Sequence, residues 1–297
     1  MTATNPSRQD LSVVLDMIEK THGQGAVMCL GDEERGIVDA ISTGSDKLDA
    51  ALGGGLPRGH IVQIVGGRFV DANYLTLGML AHAQVAGGTC AVVDGEHLLD
   101  SFDCARTGVD TGALLFSQPN SMEQALGVTD MLARSGALTL IVVHSIYALP
   151  LRETDHPNEA FDELKQDEVL SRALRKLSSA VAESGTIVVF LQHREAEPRR
   201  FESLAHMRED PVFKLHASVR LDVYAKAHSP SRTTQVEVIK NKVAPPLKVV
   251  RLEELPRVIR RESPSEGESG ETTTATREYD EYLEQVAEQQ PLSDPEG

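Results

Sequence analysis

The chain has 297 residues and 40% hydrophobic content, enough for one large α/β domain with extensions or for two small domains. Its net charge of −16 is uneven: residues 262–297 hold eleven acids against one base, Arg277, a net of −10, which leaves −6 for residues 1–261. That balance argues against a free-standing DNA clamp, because neutralising phosphates supplies most non-specific affinity.

Three cysteines, Cys29, Cys90 and Cys104, come with no CxxC or Cys/His spacing. They read as core residues in a reducing cytoplasm. The N-terminus has no leader pattern, and no apolar run approaches the ~20 residues of a membrane helix. A cytoplasmic protein without a membrane partner is expected.

Residues 1–10 are polar, and Leu11, Val14, Leu15 and Ile18 then mark one face of an amphipathic helix. Gly23-Gln-Gly25 ends it, and Ala26 to Leu30 reads as a short strand. A helix and strand hung ahead of an α/β core invite docking on another subunit; packing on the chain's own core has equal standing. Ile41 to Asp49 reads as a turn and short helix, capped by Ser45 or Asp46. A glycine-rich connection, Leu52 to Gly59, leads into the next strand.

The stretch Ile61 to Leu75 runs from a β-branched strand through Gly66-Gly67 into a helix. It has the outline of a phosphate-binding loop, G-x-x-x-x-G-K-[ST]. Counted from Gly66, the second glycine falls at Asp71, the lysine at Ala72 and the hydroxyl at Asn73. Ala72 cannot reach a phosphate, Asn73 is a poor Mg²⁺ ligand, and Asp71 puts negative charge where an anion should sit. Arg68 alone does not restore the cradle.

Further buried strands are predicted over Thr89–Asp94, Leu114–Ser117, Leu138–Ser145 and Thr186–Leu191, with helices over Ser121–Ser135 and Leu164–Glu183. Glu96 follows the strand ending at Asp94, at the sheet end where ligands bind in open α/β folds. Residues 150–163 and 194–211 read as loops. Val219–Tyr224 and Gln235–Lys240 alternate as a hairpin. The fold class is α/β, with a largely parallel sheet flanked by helices. The expected organisation is an extension over 1–36, a core over 37–261 and an acidic, mostly disordered tail over 262–297. Within that tail Tyr279, Tyr282, Leu283 and Val286 share helical spacing, a candidate for folding on a partner beside the plainer reading of a solubilising tail.

Ile41-Ser-Thr-Gly-Ser45, Gly54-Gly-Leu-Pro-Arg-Gly59, Asp94-Gly-Glu-His-Leu-Leu-Asp100, Arg175-Lys-Leu177, Ala217-Ser-Val-Arg-Leu-Asp222 and Lys240-Asn-Lys242 resemble the bacterial RecA family, in order and near its spacing, over about residues 10–250. The resemblance implies a RecA-like core ATPase fold with an N-terminal helix and strand that docks on a neighbour. It also assigns roles. The P-loop lysine and threonine correspond to Ala72 and Asn73, the Walker B aspartate to His144, the adenine-stacking tyrosine to Asp103, and the γ-phosphate sensor to His193. Glu96 matches the water-activating glutamate, here vestigial, and Lys240 and Lys242 match lysines that reach nucleotide across a subunit interface. Arg194, Arg199, Arg200 and Phe201 lie in the segment matching a DNA-binding loop, where stacking on a single strand is the candidate role.

The pattern is most similar to the RecA-related accessory proteins of SOS mutagenesis, the ImuA type. It implies a chain that is not an enzyme and carries no cofactor and no metal. Its partners would be RecA and an ImuB-like polymerase subunit, its DNA contact weak or indirect, and its state a monomer or small oligomer. The alternative is a diverged recombinase or single-strand-binding protein that uses nucleotide through Arg68, Glu96, Lys240 and Lys242. A paralogue working outside repair is the third reading.

Overall fold

The computed structural model describes residues 8–23, 26–27, 39–67, 71–152, 159–194, 210–225, 234–246 and 248–252. Its centre is an eight-stranded sheet. In chain order the strands are β3 (Ile61–Gly67), β4 (Cys90–Asp94), β5 (Leu115–Ser117), β6 (Leu140–His144), β7 (Ile187–Arg194), β8 (Val219–Ala225), β9 (Thr234–Asn241) and β10 (Lys248–Leu252). A separate two-stranded pair, β1 (Ala40–Ile41) and β2 (Leu56–Pro57), precedes them. The order across the large sheet is β10-β9-β8-β3-β7-β6-β4-β5. The six strands from β8 to β5 are parallel to their neighbours; β9 and β10 add an antiparallel edge. This is the α/β fold, with a largely parallel sheet flanked by helices, that the residues predict.

Parallel strands buried on both faces need apolar side chains in both directions. Strand β6, Leu-Ile-Val-Val-His, is buried at every position. Alternate residues go to opposite cores. Val62, Ile64, Val92, Val142, Leu191 and Leu221 share one with Leu75 and Met79 of helix α3 (Asp71–Val85). Ile61, Val93, Ile141, Val143, Val188 and Phe190 share the other with helices α5 (Met122–Arg134) and α6 (Glu159–Ser184). In α6, Leu170, Leu174, Leu177 and Val181 repeat at three to four residues and are all buried.

Caps set the helix starts. Ser45 accepts from the Leu48 N–H at the head of α2 (Asp46–Leu52), and Ser121 from the Gln124 N–H at the head of α5. Helix α4 (Ser101–Thr107) goes beyond the sequence reading, though its signals are plain afterwards: Asp100 caps the Phe102 N–H at 3.0 Å and Gly108 closes it at φ 83°. Strand β10 and helix α7 (Pro211–His216) are likewise additional. Helix α6 begins at Glu159, five residues before the expected start. Of the strand expected over Ala26–Leu30, Ala26 and Val27 form a bend and the remainder lies outside the described residues. Helix α1 (Arg8–His22) carries Leu11 and Val14 in solvent, with Leu15 and Ile18 half-buried. Among the described residues no helix is long and apolar enough to cross a membrane.

One polar network interrupts the core on the α6 face. The Arg220 guanidinium, 2% exposed, donates from Nε to Gln63 Oε1 at 2.6 Å. Gln63 Nε2 donates to Gln192 Oε1 at 2.5 Å and to Asp210 Oδ2 at 3.0 Å. A guanidinium stays charged when buried, so its burial needs such partners. Replacing Gln63 by Leu removes an acceptor from a charged donor, so Gln63→Leu is expected to cost about 2–3 kcal/mol, read as a lower urea midpoint at unchanged slope.

Burial pushes the Cys90 thiol up to about 12, and burial with the nearby Asp103 and Asp100 charges pushes Cys104 up to about 11. Both are therefore thiols at neutral pH. Iodoacetamide at pH 8 is expected to leave both unlabelled in the folded protein and to label both in urea, checked by peptide mass spectrometry.

Candidate functional site

Strands β3, β7, β6 and β4 run parallel, so their carboxyl ends form one edge, where open α/β sheets bind ligands. The register fixes which side chains meet there. Asp94 pairs with His144, His144 with Leu191, and His193 with Gly66. Leu191 and His193 are two apart and share a face. Asp94 and His144 follow Val92 and Val142 at the same spacing, so all four face α3.

Asp94 has a side chain with no exposure. Burial alone would raise its carboxyl; hydrogen bonding and charge from His144, with the Leu99 and Leu98 amides, outweigh that and hold it below the usual range. The Leu99 N–H donates to Oδ2 at 3.1 Å and the Leu98 N–H to Oδ1 at 3.4 Å. His144 Nδ1 stands 3.6 Å from Oδ1. The Gly95 N–H donates to the His144 carbonyl at 2.6 Å. One carboxylate thus ties the turn after β4 to the end of β6. Inside that turn His97 adopts φ 57°, a left-handed conformation that costs a residue with a Cβ about 1–2 kcal/mol.

The tied turn presents Glu96 to two imidazoles. His193 Nε2 lies 3.1 Å from His144 Nε2 and 3.6 Å from Glu96 Oε2. The rings meet edge to face, centroids 4.8 Å apart. Asn73, in the first turn of α3, puts Oδ1 2.9 Å from His144 Nε2. Side-chain exposure is 2% for His193 and 10% for both Glu96 and His144. The sequence takes Glu96 as a retained match to the family's glutamate and His144 and His193 as separate departures from the family pattern, and no metal is expected. The structure brings their ligand atoms within 4.8 Å of one another.

The remaining candidates scatter. Gly66 is the last but one residue of β3, and a Cβ there would collide with that of Ala72. Ala72 is itself fully buried and offers no polar atom. Asp103 accepts from the Tyr74 hydroxyl at 2.7 Å, while the Arg106 guanidinium sits 4.6 Å from the Tyr74 ring centre. That wall of the cleft is occupied by the chain's own side chains. Lys240 pairs in register with Arg220, near the start of β8 and away from the imidazoles, and donates to the Lys214 carbonyl at 2.5 Å. The Lys242 N–H donates to the Ser218 carbonyl at the same end. Gly67 and Arg194 close β3 and β7. Arg68, Arg199, Arg200, Phe201, Tyr279, Tyr282, Leu283 and Val286 lie outside the described residues, as does the side chain of Asp71. Among the described residues, the polar groups gathered at this edge are two imidazoles, His144 and His193, two carboxylates, Asp94 and Glu96, and the Asn73 amide. A magnesium nucleotide held through lysine, hydroxyl and aspartate does not fit that set.

Comparison with known proteins gives a consistent family. The RecA N-terminal domain matches residues 9–255. Protein RecA of Mycobacterium sp. (strain KMS) is 42% identical over 258 residues, covering 84% of this chain and 74% of its own. Protein RecA of Nocardia farcinica is 44% identical over 247 residues, covering 80% and 71%, and that of Cutibacterium acnes is 43% identical over 257, covering 84% and 74%. These identities overturn the expectation that the chain is not an enzyme. Likeness at this level, over this share of the chain, aligns it with a family of ATPase fold and points to a catalytic protein.

Asp94→Asn leaves one side-chain oxygen for two amide donors. Hydrogen exchange at Leu98 and Leu99 is expected to speed up about tenfold or more, with little change at Val92 and Val142 in the strands.

Proposed function

We propose, from the premise that this chain belongs to the RecA family, that it is a specialised accessory member acting in SOS mutagenesis and translesion synthesis. Family membership places it among proteins of DNA repair and recombination. The finer reading rests on one observation. His144, His193 and Asn73 meet at the point where the family resemblance places a carboxylate, an amide sensor and a hydroxyl. A site rebuilt at several positions at once, on a body otherwise close to RecA, fits a paralogue with a task of its own.

The body offers a RecA-like surface, and α1 holds Leu11 and Val14 in solvent where the family extension docks on a neighbour. That surface suits RecA itself as a partner. Residues 262–297 add a net charge of −10 and an amphipathic stretch from Tyr279 to Val286, which suit a second partner, an ImuB-type polymerase-like subunit. DNA contact in this reading is weak or indirect, and the chain works as a monomer or small oligomer.

The 42–44% identity to proteins named RecA favours a second reading, a diverged recombinase or single-strand-binding protein that uses nucleotide through Arg68, Glu96, Lys240 and Lys242. One experiment separates the two. Purified chain, with and without residues 262–297, is presented to RecA and to the polymerase-like subunit, and ATP hydrolysis is followed in parallel with single-stranded DNA. RecA binding that survives truncation, with subunit binding that does not, is the expected outcome. No binding to either, together with DNA-stimulated hydrolysis, transfers the chain to the second reading.

A further inference from the structure

We propose that Glu96, His144 and His193 form a binding site for a divalent transition-metal ion of the zinc class, with Asp94 as the orienting carboxylate behind His144. Geometry comes first. Ions of this class hold imidazole nitrogen at about 2.0–2.1 Å, which sets two ligand nitrogens on one ion about 2.9–3.4 Å apart. The two Nε2 atoms stand at 3.1 Å. Glu96 Oε2 lies 3.6 Å from His193 Nε2 and closes the remaining gap by rotation about its own side-chain bonds.

Proton accounting points the same way. A neutral imidazole carries one N–H. Asp94, facing His144 Nδ1 across 3.6 Å, favours the proton on that nitrogen; Nε2 then offers its lone pair to an ion once the Asn73 amide, whose Oδ1 stands 2.9 Å from it, turns its NH₂ or swings aside. That lone pair points to where His193 Nε2 also arrives. Meanwhile Glu96 Oε2, on a side chain nine-tenths buried, has no hydrogen-bond donor. An ionised oxygen out of water without a donor is costly. A cation bound between the three atoms satisfies the carboxylate and both lone pairs together. A shared proton between the imidazoles serves only the nitrogens.

The donor set selects the ion. Magnesium and calcium take oxygen ligands, whereas two imidazoles with one carboxylate suit zinc, cobalt, nickel or ferrous iron. Three protein ligands leave a fourth position, and His144 itself lines a cleft that Asn73 and Asp100 border. The register explains the assembly, because the ligands come from the ends of β4, β6 and β7 and need the whole parallel sheet to meet.

The test uses untagged full-length protein, stripped with chelator, in the absence of nucleotide, DNA and partners, so its result is independent of the function proposed above. Zn²⁺ is titrated calorimetrically, and Co²⁺ serves as the spectroscopic probe. One equivalent of Zn²⁺ is expected, with chelator-reversible thermal stabilisation. Glu96→Gln and His193→Gln are expected to weaken binding at least 100-fold, and Asp94→Asn about 10–100-fold, the range for an orienting partner. Each variant's metal-free urea midpoint is measured alongside. Should a variant fail to fold, the Co²⁺ spectrum of the unaltered protein decides. Low-symmetry visible bands without a thiolate charge-transfer band support the site, and a thiolate band overturns it. Wild-type binding no tighter than that of the variants, or no binding at millimolar Zn²⁺, overturns it as well.

Discussion

Asp94 is a carboxylate with no access to water at the end of a central strand, and the geometry around the edge of the sheet follows from how it is held. A buried anion needs donors on several sides. Here they come from two places, the Leu98 and Leu99 amides of the next turn and the imidazole ending β6. Meeting that requirement pulls the turn back over β4. The turn accepts a left-handed His97 as the cost, and Glu96 is thereby aimed across the edge rather than outward. The position of Glu96 is thus a consequence of the solvation of Asp94.

The sheet divides its polar residues by face. On the α6 side Gln63, Gln192, Asp210 and Arg220 are joined by side-chain hydrogen bonds. On the α3 side Asp94, His144 and His193 converge, and Glu96 keeps an oxygen with no donor. The contrast is informative because both clusters are buried at similar depth. One is linked through its own side chains, as a structural network is expected to be. The other lacks one positive partner. Gly66 contributes by its missing Cβ, since the approach of Ala72 to β3 sets where Asn73 stands relative to His144.

Much of the fold is legible along the chain. β-Branched runs such as Ile61–Val65 and Leu138–Val143 mark parallel strands, and Ser45 and Ser121 mark helix starts, because these signals are local. The short elements were harder. Helix α4 is seven residues long and half-exposed, so no apolar period announces it, only Asp100 and Gly108. Strand β10 alternates over five residues at an edge, too few to separate from a loop. The candidate site was legible only residue by residue. His144 and His193 stand out as departures from the family pattern and Glu96 as a retained match, but that they face one point depends on pairings between strands about fifty residues apart. No spacing in the sequence carries that register.

The family assignment and the altered donors can be held together. Relatives at 42–44% identity argue for a catalytic protein, while Ala72, Asn73 and His144 remove lysine, hydroxyl and carboxylate from the positions where the resemblance needs them. A conflict arises only if catalysis requires those groups. Enzymes also use a metal held by three protein ligands with a fourth position open, and two histidines with a glutamate is one of the sets they use. Exchanging oxygen donors for imidazoles at a fixed sheet edge changes which ion the edge prefers before it changes whether the edge can do chemistry. The fold constrains where a reacting group can sit, and the donor atoms decide what kind of group it is.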